Sequence, residues 1–252
     1  MRPPRMVSAI ERRLLVNYRT DPEITARLLP APLRPRIVGG WAVSGICLIR
    51  LSGVRPAVVP VPFGLRSENA AHRIAVEWDT PAGVAHGVYI PRRDTGSLLT
   101  SWAGGRIFPG RHHRSRFGVH EAGGNLRINF TDPADLVRVE AHVRTAATLT
   151  GSHLFQDTAR ASGFFRCGGA GYSVTPDPGR LDGVDLLTED WRITPVELVT
   201  VRSTFFDDPD RFPPGSAIPD CGLLMRDVTA TWVPLPPMTV RPAGDPVATS
   251  PR

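Results

Sequence analysis

Residues 114–130, RSRFGVHEAGGNLRINF, decide how this chain is interpreted. Apolar and polar residues alternate on both sides of Ala122-Gly123-Gly124, and such alternation is typical of a strand with one buried face. Small turn-forming residues between two alternating segments are a strong indication of a hairpin. The stretch therefore predicts two antiparallel strands.

The same period of two recurs on either side of this hairpin. Residues 136–146, LVRVEAHVRTA, alternate valine or alanine with charged residues or histidine, which predicts a strand with one buried and one exposed face. Residues 36–54 predict a hairpin or a long bent strand, and DTPAG at 79–83 separates the two halves of a further hairpin. Three later strands are predicted, most clearly in 191–206 and 222–234.

Four segments predict helices. Residues 7–18 and 21–29 have helical spacing, and in the second Asp21 is the expected cap with Pro22 at the first helical position. A third helix is expected over 94–105, capped by Asp94 or Thr95, and a fourth over 151–166, capped by Ser152.

Length and composition indicate one globular domain. With 252 residues and 41% hydrophobic residues, the chain can bury a sizeable core. We expect a single domain over residues 1–235 and a disordered tail over 236–252, where apolar residues are few. The predicted fold class is α+β and mostly antiparallel, a closed or partly closed β-barrel or cone with a few peripheral helices.

All thirty residues in the combined lysine and arginine count are arginine. Arginine stays protonated, whereas lysine can lose its proton and act as a nucleophile. Schiff-base catalysis by a side-chain amine is therefore excluded, as is a phosphate loop that depends on lysine. The formal net charge of +6 raises the possibility of nucleic-acid binding, but aromatic residues do not interleave with the arginines as on a single-strand platform.

The cysteines and apolar segments bear on environment and cofactors. Cys47, Cys167 and Cys221 are widely spaced, which favours a reducing cytoplasm over a disulfide framework or a zinc site. No apolar segment reaches the roughly 20 residues of a membrane span. We expect a cytoplasmic protein with no membrane partner, no metal and no cofactor.

Residues 104–117, GGRIFPGRHHRSRF, hold the candidate charged groups. Arg111 and Arg106 are the expected clamp for a carboxylate or an oxyanion. His112 and His113 are adjacent, so on a strand only one of them faces a cavity, and the sequence leaves open which. A metal site that combines either histidine with His120 and Glu121 lacks a regular ligand spacing.

The order of these elements resembles the acetoacetate decarboxylase superfamily over roughly residues 10–235, in particular its branch of uncharacterised proteins. The similarity rests on the LLPAPLRP helix end, a strand ending in RLSGV, the SEN strand start and GGRIFPG. The resemblance implies a decarboxylase signature in which Gly110 or Arg111 occupies the place of the Schiff-base lysine. It also implies that Glu68, or failing that Glu77, is the substrate-positioning glutamate, and that the protein is a homo-oligomer.

Together these observations predict a cofactor-free enzyme of small-molecule metabolism acting on a carbonyl or carboxylate substrate through an enolate-like anion. Arg111, Glu68 and His112 are the expected catalytic residues. The expected substrate-binding residues are Arg106, Trp102, Phe108, Glu77 and Tyr89. The alternative is a non-catalytic protein that binds a small molecule in the same barrel, and nucleic-acid binding is the weakest of the three readings.

Overall fold

The computed structural model describes residues 4–59, 64–97, 110–134 and 136–241, which contain fourteen strands and two helices. The first half of the chain contributes β1 (Met6–Thr20), α1 (Pro22–Arg27), β2 (Arg34–Pro35), β3 (Ile37–Val38), β4 (Trp41–Pro56), β5 (Leu65–Thr80), β6 (Gly83–Thr95), β7 (His112–Arg114) and β8 (Arg116–Ala122). The second half contributes β9 (Asn125–Thr131), β10 (Arg138–Thr145), α2 (Thr158–Arg166), β11 (Ala170–Val174), β12 (Arg180–Thr188), β13 (Thr194–Ser203) and β14 (Ala217–Thr239).

Seven strands close into a ring in the order β1-β4-β5-β6-β11-β12-β14. The ring closes because β14 pairs with β12 at one end and with β1 along most of its length. All neighbours in the ring are antiparallel except β6 and β11, which pair in parallel over three residues. The predicted fold class, a mostly antiparallel barrel or cone with peripheral helices, is confirmed.

Four further strands of the same fourteen-stranded sheet, termed the second sheet, cover one side of this ring. Strands β13, β10, β9 and β8 continue from β14 and pack over the outer faces of β1, β4 and β5. Leu14, Leu48, Ile128, Phe130 and Val139 belong to the apolar layer between the ring and this sheet. A separate apolar cluster fills much of the ring and includes part of α2. Each ring strand beneath the second sheet thus has two buried faces.

The hairpin in residues 114–130 is present as predicted. Strands β8 and β9 pair from Ala122 and Asn125 outward, and Gly123 and Gly124 form the turn with φ angles of 54° and 78°. Glycine adopts such positive φ angles without the steric cost that a Cβ imposes. Strand β10 is also confirmed, since Val139, Ala141 and Val143 are buried and alternate with more exposed neighbours.

The predicted helix over residues 7–18 is wrong, because this segment is strand β1. Because both faces of β1 are buried, its apolar residues do not alternate strictly with polar ones. Their spacing therefore resembles that of a helix. Leu14 and Tyr18 face the layer under the second sheet, while Leu15 faces the interior of the ring. Pairing with β4 and β14 on both edges overrides the local preference.

The other helix predictions have mixed outcomes. Helix α1 is confirmed, with the Asp21 side chain accepting hydrogen bonds from the first turn. Helix α2 starts at Thr158 and is capped by Asp157, so the predicted start and the Ser152 cap are wrong. The Ser152 hydroxyl instead accepts from the Leu154 and Phe155 amides in the preceding turn. Most of the third predicted helix, residues 98–105, lies outside the described residues, and Asp94 and Thr95 end β6.

The end of the chain continues the sheet beyond the expected domain boundary at residue 235. Strand β14 runs to Thr239, and Arg241 pairs with Ala31. Residues 242–252 of the expected tail lie outside the described residues. Neither described helix has the length and apolar character that a membrane span requires.

Candidate functional site

The ring encloses a chamber of about 100 Å³, room for several water-sized groups. Most of its wall is apolar and comes from β4, β5, β6, β11, β12 and α2. The apolar wall includes Ile49, Ala71, Ala75, Val88, Ile90, Phe164, Phe165, Val184, Leu186 and Trp232. Four arginines interrupt this wall: Arg13, Arg36, Arg73 and Arg93.

Arg73 is the most deeply buried of the four. It lies in the middle of β5, 4% exposed, and its guanidinium donates a hydrogen bond to the Asn17 side-chain oxygen. The guanidinium carbon lies 4.8 Å from the centre of the Phe165 ring, a cation–π contact. Burial lowers the pKa of Arg73 to about 10, and its Nε has no hydrogen-bond partner among the described residues.

Arg93 enters the chamber from the neighbouring strand. It pairs across the β5–β6 ladder with Ala71, two residues before Arg73. Its Nε donates to the Ser173 hydroxyl on β11 at 2.8 Å. Burial lowers the pKa of Arg93 to about 10 as well. Two guanidinium groups are therefore held in the chamber by neutral partners.

Arg13 and Arg36 are half-buried parts of the chamber wall. The Arg36 guanidinium lies 4.0 Å from the Phe164 ring centre, and burial lowers its pKa. The Nε of Arg13 donates to the Cys47 sulfur at 3.4 Å. Within the described residues, none of the four chamber arginines has a carboxylate within ion-pair distance, and no aspartate or glutamate lines the chamber.

His112 lies beside this site. It pairs with Arg93 in the parallel β6–β7 ladder, and its Nδ1 is 3.2 Å from the Gly110 carbonyl oxygen. Because a carbonyl only accepts, Nδ1 carries the proton and Nε2 keeps its lone pair. Burial, followed by the charge of Arg93, lowers the pKa of His112 to about 3. His112 is therefore neutral at pH 7, and a bound anion would favour its protonation.

His113 faces other groups than its neighbour. Burial and the charge of Arg92 lower its pKa, while Asp94 and Asp132 oppose that effect. Arg92 forms ion pairs with both carboxylates, on the side of β6 opposite to Arg93. The alternation of side chains along β7 thus separates the two histidines.

The structure places Glu68 on the face of β5 opposite to Arg73. Its carboxylate accepts from Arg12 at 2.6 Å and from Arg50 at 2.5 Å. Arg12, with a side chain only 1% exposed, also pairs with Glu121 of β8 at 2.7 Å. These ion pairs link the ring to the second sheet.

The remaining predicted residues are scattered around the chamber or lie outside the described part. Arg111 is exposed, and its amide donates to the Val174 carbonyl. Glu77 lies on the same face of β5 as Arg73, and pairs with Arg34 at 3.7 Å and His86 at 3.8 Å. Tyr89 packs outside the ring with Ile74 and Tyr172. The predictions for Trp102, Arg106 and Phe108 concern residues outside the described part of the chain.

Sequence reasoning missed Arg73 and Arg93. A signal for Arg73 exists, because an arginine interrupts the apolar run of residues 70–76, AAHRIAV, inside a predicted strand. A charged residue in a strand interior with no charged neighbour on its face is a candidate for a polar cavity. Arg93 stands beside Arg92 and Asp94, so its sequence context looks like that of a surface strand end.

Comparisons with known proteins identify relatives at the level of family and fold. The model of the DUF2071 family, described as an uncharacterized conserved protein, matches residues 8–218. No protein with a curated description matches the chain.

Several solved structures share the fold at low sequence identity. The enduracididine biosynthesis enzyme MppR is 15% identical, with a TM-score of 0.61 over 97% of this chain and 90% of its own. Acetoacetate decarboxylase from Legionella pneumophila is 12% identical, with a TM-score of 0.59 over 95% and 88%. An acetoacetate decarboxylase-like enzyme from Sphingomonas wittichii is 15% identical, with a TM-score of 0.56 over 94% of each chain.

Proposed function

The chain belongs to the DUF2071 family, and on the geometry of its chamber we propose that it is an enzyme of small-molecule metabolism acting on a carboxylate substrate with a carbonyl group. The proposed reaction passes through an enolate-like anion, as decarboxylation, dehydration, isomerisation and cyclisation do. It uses neither a cofactor nor an amine nucleophile.

The observation that carries this proposal is a pair of chamber arginines, Arg73 buried and Arg93 half-buried, that have no counter-charge among the described residues. Buried charges in proteins are normally paired, because an unpaired charge loses its hydration without compensation. Arg73 and Arg93 have only neutral hydrogen-bond partners among the described residues, and their lowered pKa values reflect the cost of burial. An anionic ligand would supply the missing charge, and a carboxylate matches the guanidinium fork.

The same groups suit the proposed chemistry. Negative charge that develops on an enolate oxygen is stabilised more strongly by a guanidinium in an apolar chamber than in water. The apolar wall would also exclude solvent from the reacting carbon. We assign substrate binding and charge stabilisation to Arg73 and Arg93. His112 is the proposed proton acceptor, since it pairs with Arg93 in the β6–β7 ladder, its Nε2 keeps its lone pair, and a bound anion would make it more basic.

The shared fold adds limited support. One structure of MppR contains pyruvate, and another contains the condensation product of pyruvate and imidazole 4-carboxaldehyde. These ligands show that a protein with this fold holds a small carbonyl acid. At 15–16% identity the likeness concerns the fold, and the substrate of the present chain is proposed from its own arginines.

The second candidate is a non-catalytic binding protein on the same barrel. It is favoured by the lack of aspartate and glutamate among the described chamber residues, because a carboxylate is a common proton acceptor in such reactions. Its anion-binding site is the same, so the two candidates differ only in turnover. The roles of Arg111 and Glu68, a homo-oligomeric state and a cytoplasmic location remain predictions, and neither candidate depends on them.

Binding and exchange measurements test both candidates. Calorimetric titration with pyruvate and with malonate should show binding that weakens by about tenfold or more in Arg73→Gln and Arg93→Gln. The matched control is Arg144→Gln, which removes an exposed arginine paired with Glu197 and should leave binding unchanged. Binding that survives in both chamber variants would contradict the proposed site.

Proton exchange separates the enzyme from the binding protein. An enolising enzyme accelerates the replacement of the pyruvate methyl protons by deuterium in D₂O, which NMR follows directly. The enzyme proposal predicts faster exchange with the unaltered protein and loss of this acceleration in Arg93→Gln. Binding without acceleration for any of a panel of carbonyl acids would favour the non-catalytic candidate.

A further inference from the structure

Cys47 places a nucleophilic atom in the wall of the chamber. It lies on β4 between Leu15 of β1 and Ala71 of β5, and it is 8% exposed. Its sulfur accepts a hydrogen bond from Arg13 Nε at 3.4 Å. The side chain is one of the few polar groups on the chamber surface.

Two further arginines lie within electrostatic range of this sulfur. Burial lowers the pKa of both Arg73 and Arg93, and an ionised Cys47 sulfur opposes that effect on each. Arg73 lines the same chamber, is 4% exposed, and its Nε has no partner among the described residues. The thiol thus shares a cavity with a buried guanidinium, Arg73, that still has hydrogen-bonding capacity for a ligand, and with the half-buried Arg93.

We propose that Cys47 is a nucleophile for small carboxylates that carry an electrophilic carbon, with the carboxylate held by Arg73 and Arg93. This inference rests on the proposed function, since it uses the same anion site. With a carbonyl acid, the sulfur forms a bond to the carbonyl carbon while the π electron pair moves to the oxygen. The thiol proton passes to that oxygen, and the product is a hemithioacetal or hemithioketal. The addition is reversible and involves no oxidant.

The other two cysteines serve as internal comparisons. Cys221 is buried, and burial raises its pKa to about 12, so it should react slowly with any alkylating reagent. Cys167 is exposed at the end of α2 and does not line the chamber. If an anionic reagent reacts selectively with Cys47, the chamber is therefore the source of that selectivity.

Alkylation of the full-length protein with iodoacetate and iodoacetamide tests this inference. Both reagents attack sulfur in the same way: a C–S bond forms, the C–I bond breaks, iodide leaves, and the thiol proton goes to solvent. Their rate ratio at one cysteine therefore does not depend on how much of the sulfur is ionised, and reports the attraction of the anionic reagent. Mass spectrometry of proteolytic peptides gives the ratio at each cysteine.

The reference is the same chain unfolded in concentrated urea. We expect the iodoacetate to iodoacetamide ratio at Cys47 to be about tenfold or more higher in the folded protein, because converging positive charge raises the local concentration of an anion. Malonate should suppress the iodoacetate reaction at Cys47 and leave Cys167 unaffected. In Arg93→Gln, the iodoacetate to iodoacetamide ratio at Cys47 should fall toward its value in the unfolded chain. Suppression of the iodoacetate reaction by malonate tests the same anion site without a substitution.

The contrary results are distinct from failure of the proposed function. An equal ratio in the folded and unfolded chain, or no reaction of Cys47 with either reagent, would overturn the inference. If malonate still binds by calorimetry in that case, the anion site stands and only the nucleophile is lost. Cys47→Ala should abolish the selective labelling, whereas Cys167→Ala should retain it.

Discussion

The arginines of this protein have two contrasting environments. On the outer face of the ring, Arg12 and Arg50 are paired with Glu68, and Arg12 reaches Glu121 as well. Inside the ring, Arg73 and Arg93 have neutral hydrogen-bond partners and aromatic neighbours. The first group has its counter-charges within the protein, whereas the second lacks a counter-charge within the described residues. This difference separates a structural role from a binding role.

Glu68→Gln tests that separation. The change leaves Arg12 buried with Glu121 as its remaining carboxylate, so the free energy of unfolding should fall by about 2 kcal/mol, less than the roughly 3–5 kcal/mol for a fully buried pair. Denaturant titration measures this loss. Glu197→Gln, in an exposed pair with Arg144, is the control and should cost less than about 1 kcal/mol. A variant with normal stability and no pyruvate exchange would instead support a catalytic Glu68.

His112 should report occupancy of the chamber. Burial and the charge of Arg93 lower its pKa to about 3. A bound carboxylate offsets the charge of Arg93, so the pKa of His112 should rise on binding by about one unit or more. NMR of the imidazole nitrogens over a range of pH, with and without saturating malonate, measures this shift. The exposed His120 serves as the control, and a His112 pKa that is unchanged at saturation would contradict the placement of the anion beside Arg93.

At the scale of elements, helix α2 matters because it carries two aromatic residues of the chamber. Phe164 contacts Arg36, and Phe165 contacts Arg73. The helix starts where the Asp157 carboxylate accepts from the Arg160 amide at 2.7 Å. Asp157 therefore helps to position the aromatic residues that contact Arg36 and Arg73, although it lies far from these arginines in the sequence.

Asp157→Ala should lower the free energy of unfolding by about 1 kcal/mol, the usual cost of losing an N-cap. Differential scanning calorimetry measures the change. Gln156→Ala, at the exposed neighbouring position, should have little effect. Equal stability of the two variants would show that the cap does not hold α2 in place.

The sequence predicts well those strands that have one buried face and one solvent-exposed face. Strands β9 and β10 alternate cleanly, because one side contacts the apolar layer and the other faces solvent. Strand β1 was mistaken for a helix because both of its faces are buried, so its apolar residues lose the period of two. The Ser152 assignment failed because a second suitable cap, Asp157, follows five residues later.

The sequence predicts the type of site that the chamber forms, but it does not predict which residues line it. The sequence predicted a barrel in which arginine replaces amine chemistry, and the barrel is present. Which arginines face inward depends on ring closure, where β1 pairs with β14 across some 200 residues, for example Asn17 with Cys221. Local patterns do not contain that pairing. The sequence pattern therefore favours the arginines of the stretch at 104–117 over Arg73.

At the scale of the whole molecule, buried histidines should make stability depend on pH. His72 is fully buried between the ring and the second sheet, and burial lowers its pKa to about 3. The unfolded chain takes up this proton near pH 6.5, whereas the folded chain does so only near pH 3. The unfolded state thus binds more protons between these values, and acid destabilises the fold.

Between pH 7 and pH 5, this residue should reduce the free energy of unfolding by about 2 kcal/mol. Urea titrations at several pH values measure the slope. His72→Leu should flatten it, while His142→Gln, at a half-buried position bonded to Asn125, should leave it nearly unchanged. A His72→Leu slope identical to that of the unaltered protein would refute this assignment.

The central claim is that a small carboxylate binds inside the ring between Arg73 and Arg93. A crystal structure of the protein grown with pyruvate tests it most directly. The account predicts electron density for the ligand in the chamber, with carboxylate oxygens within hydrogen-bond distance of both guanidinium groups. An empty chamber in a crystal where pyruvate occupies other arginines would contradict it.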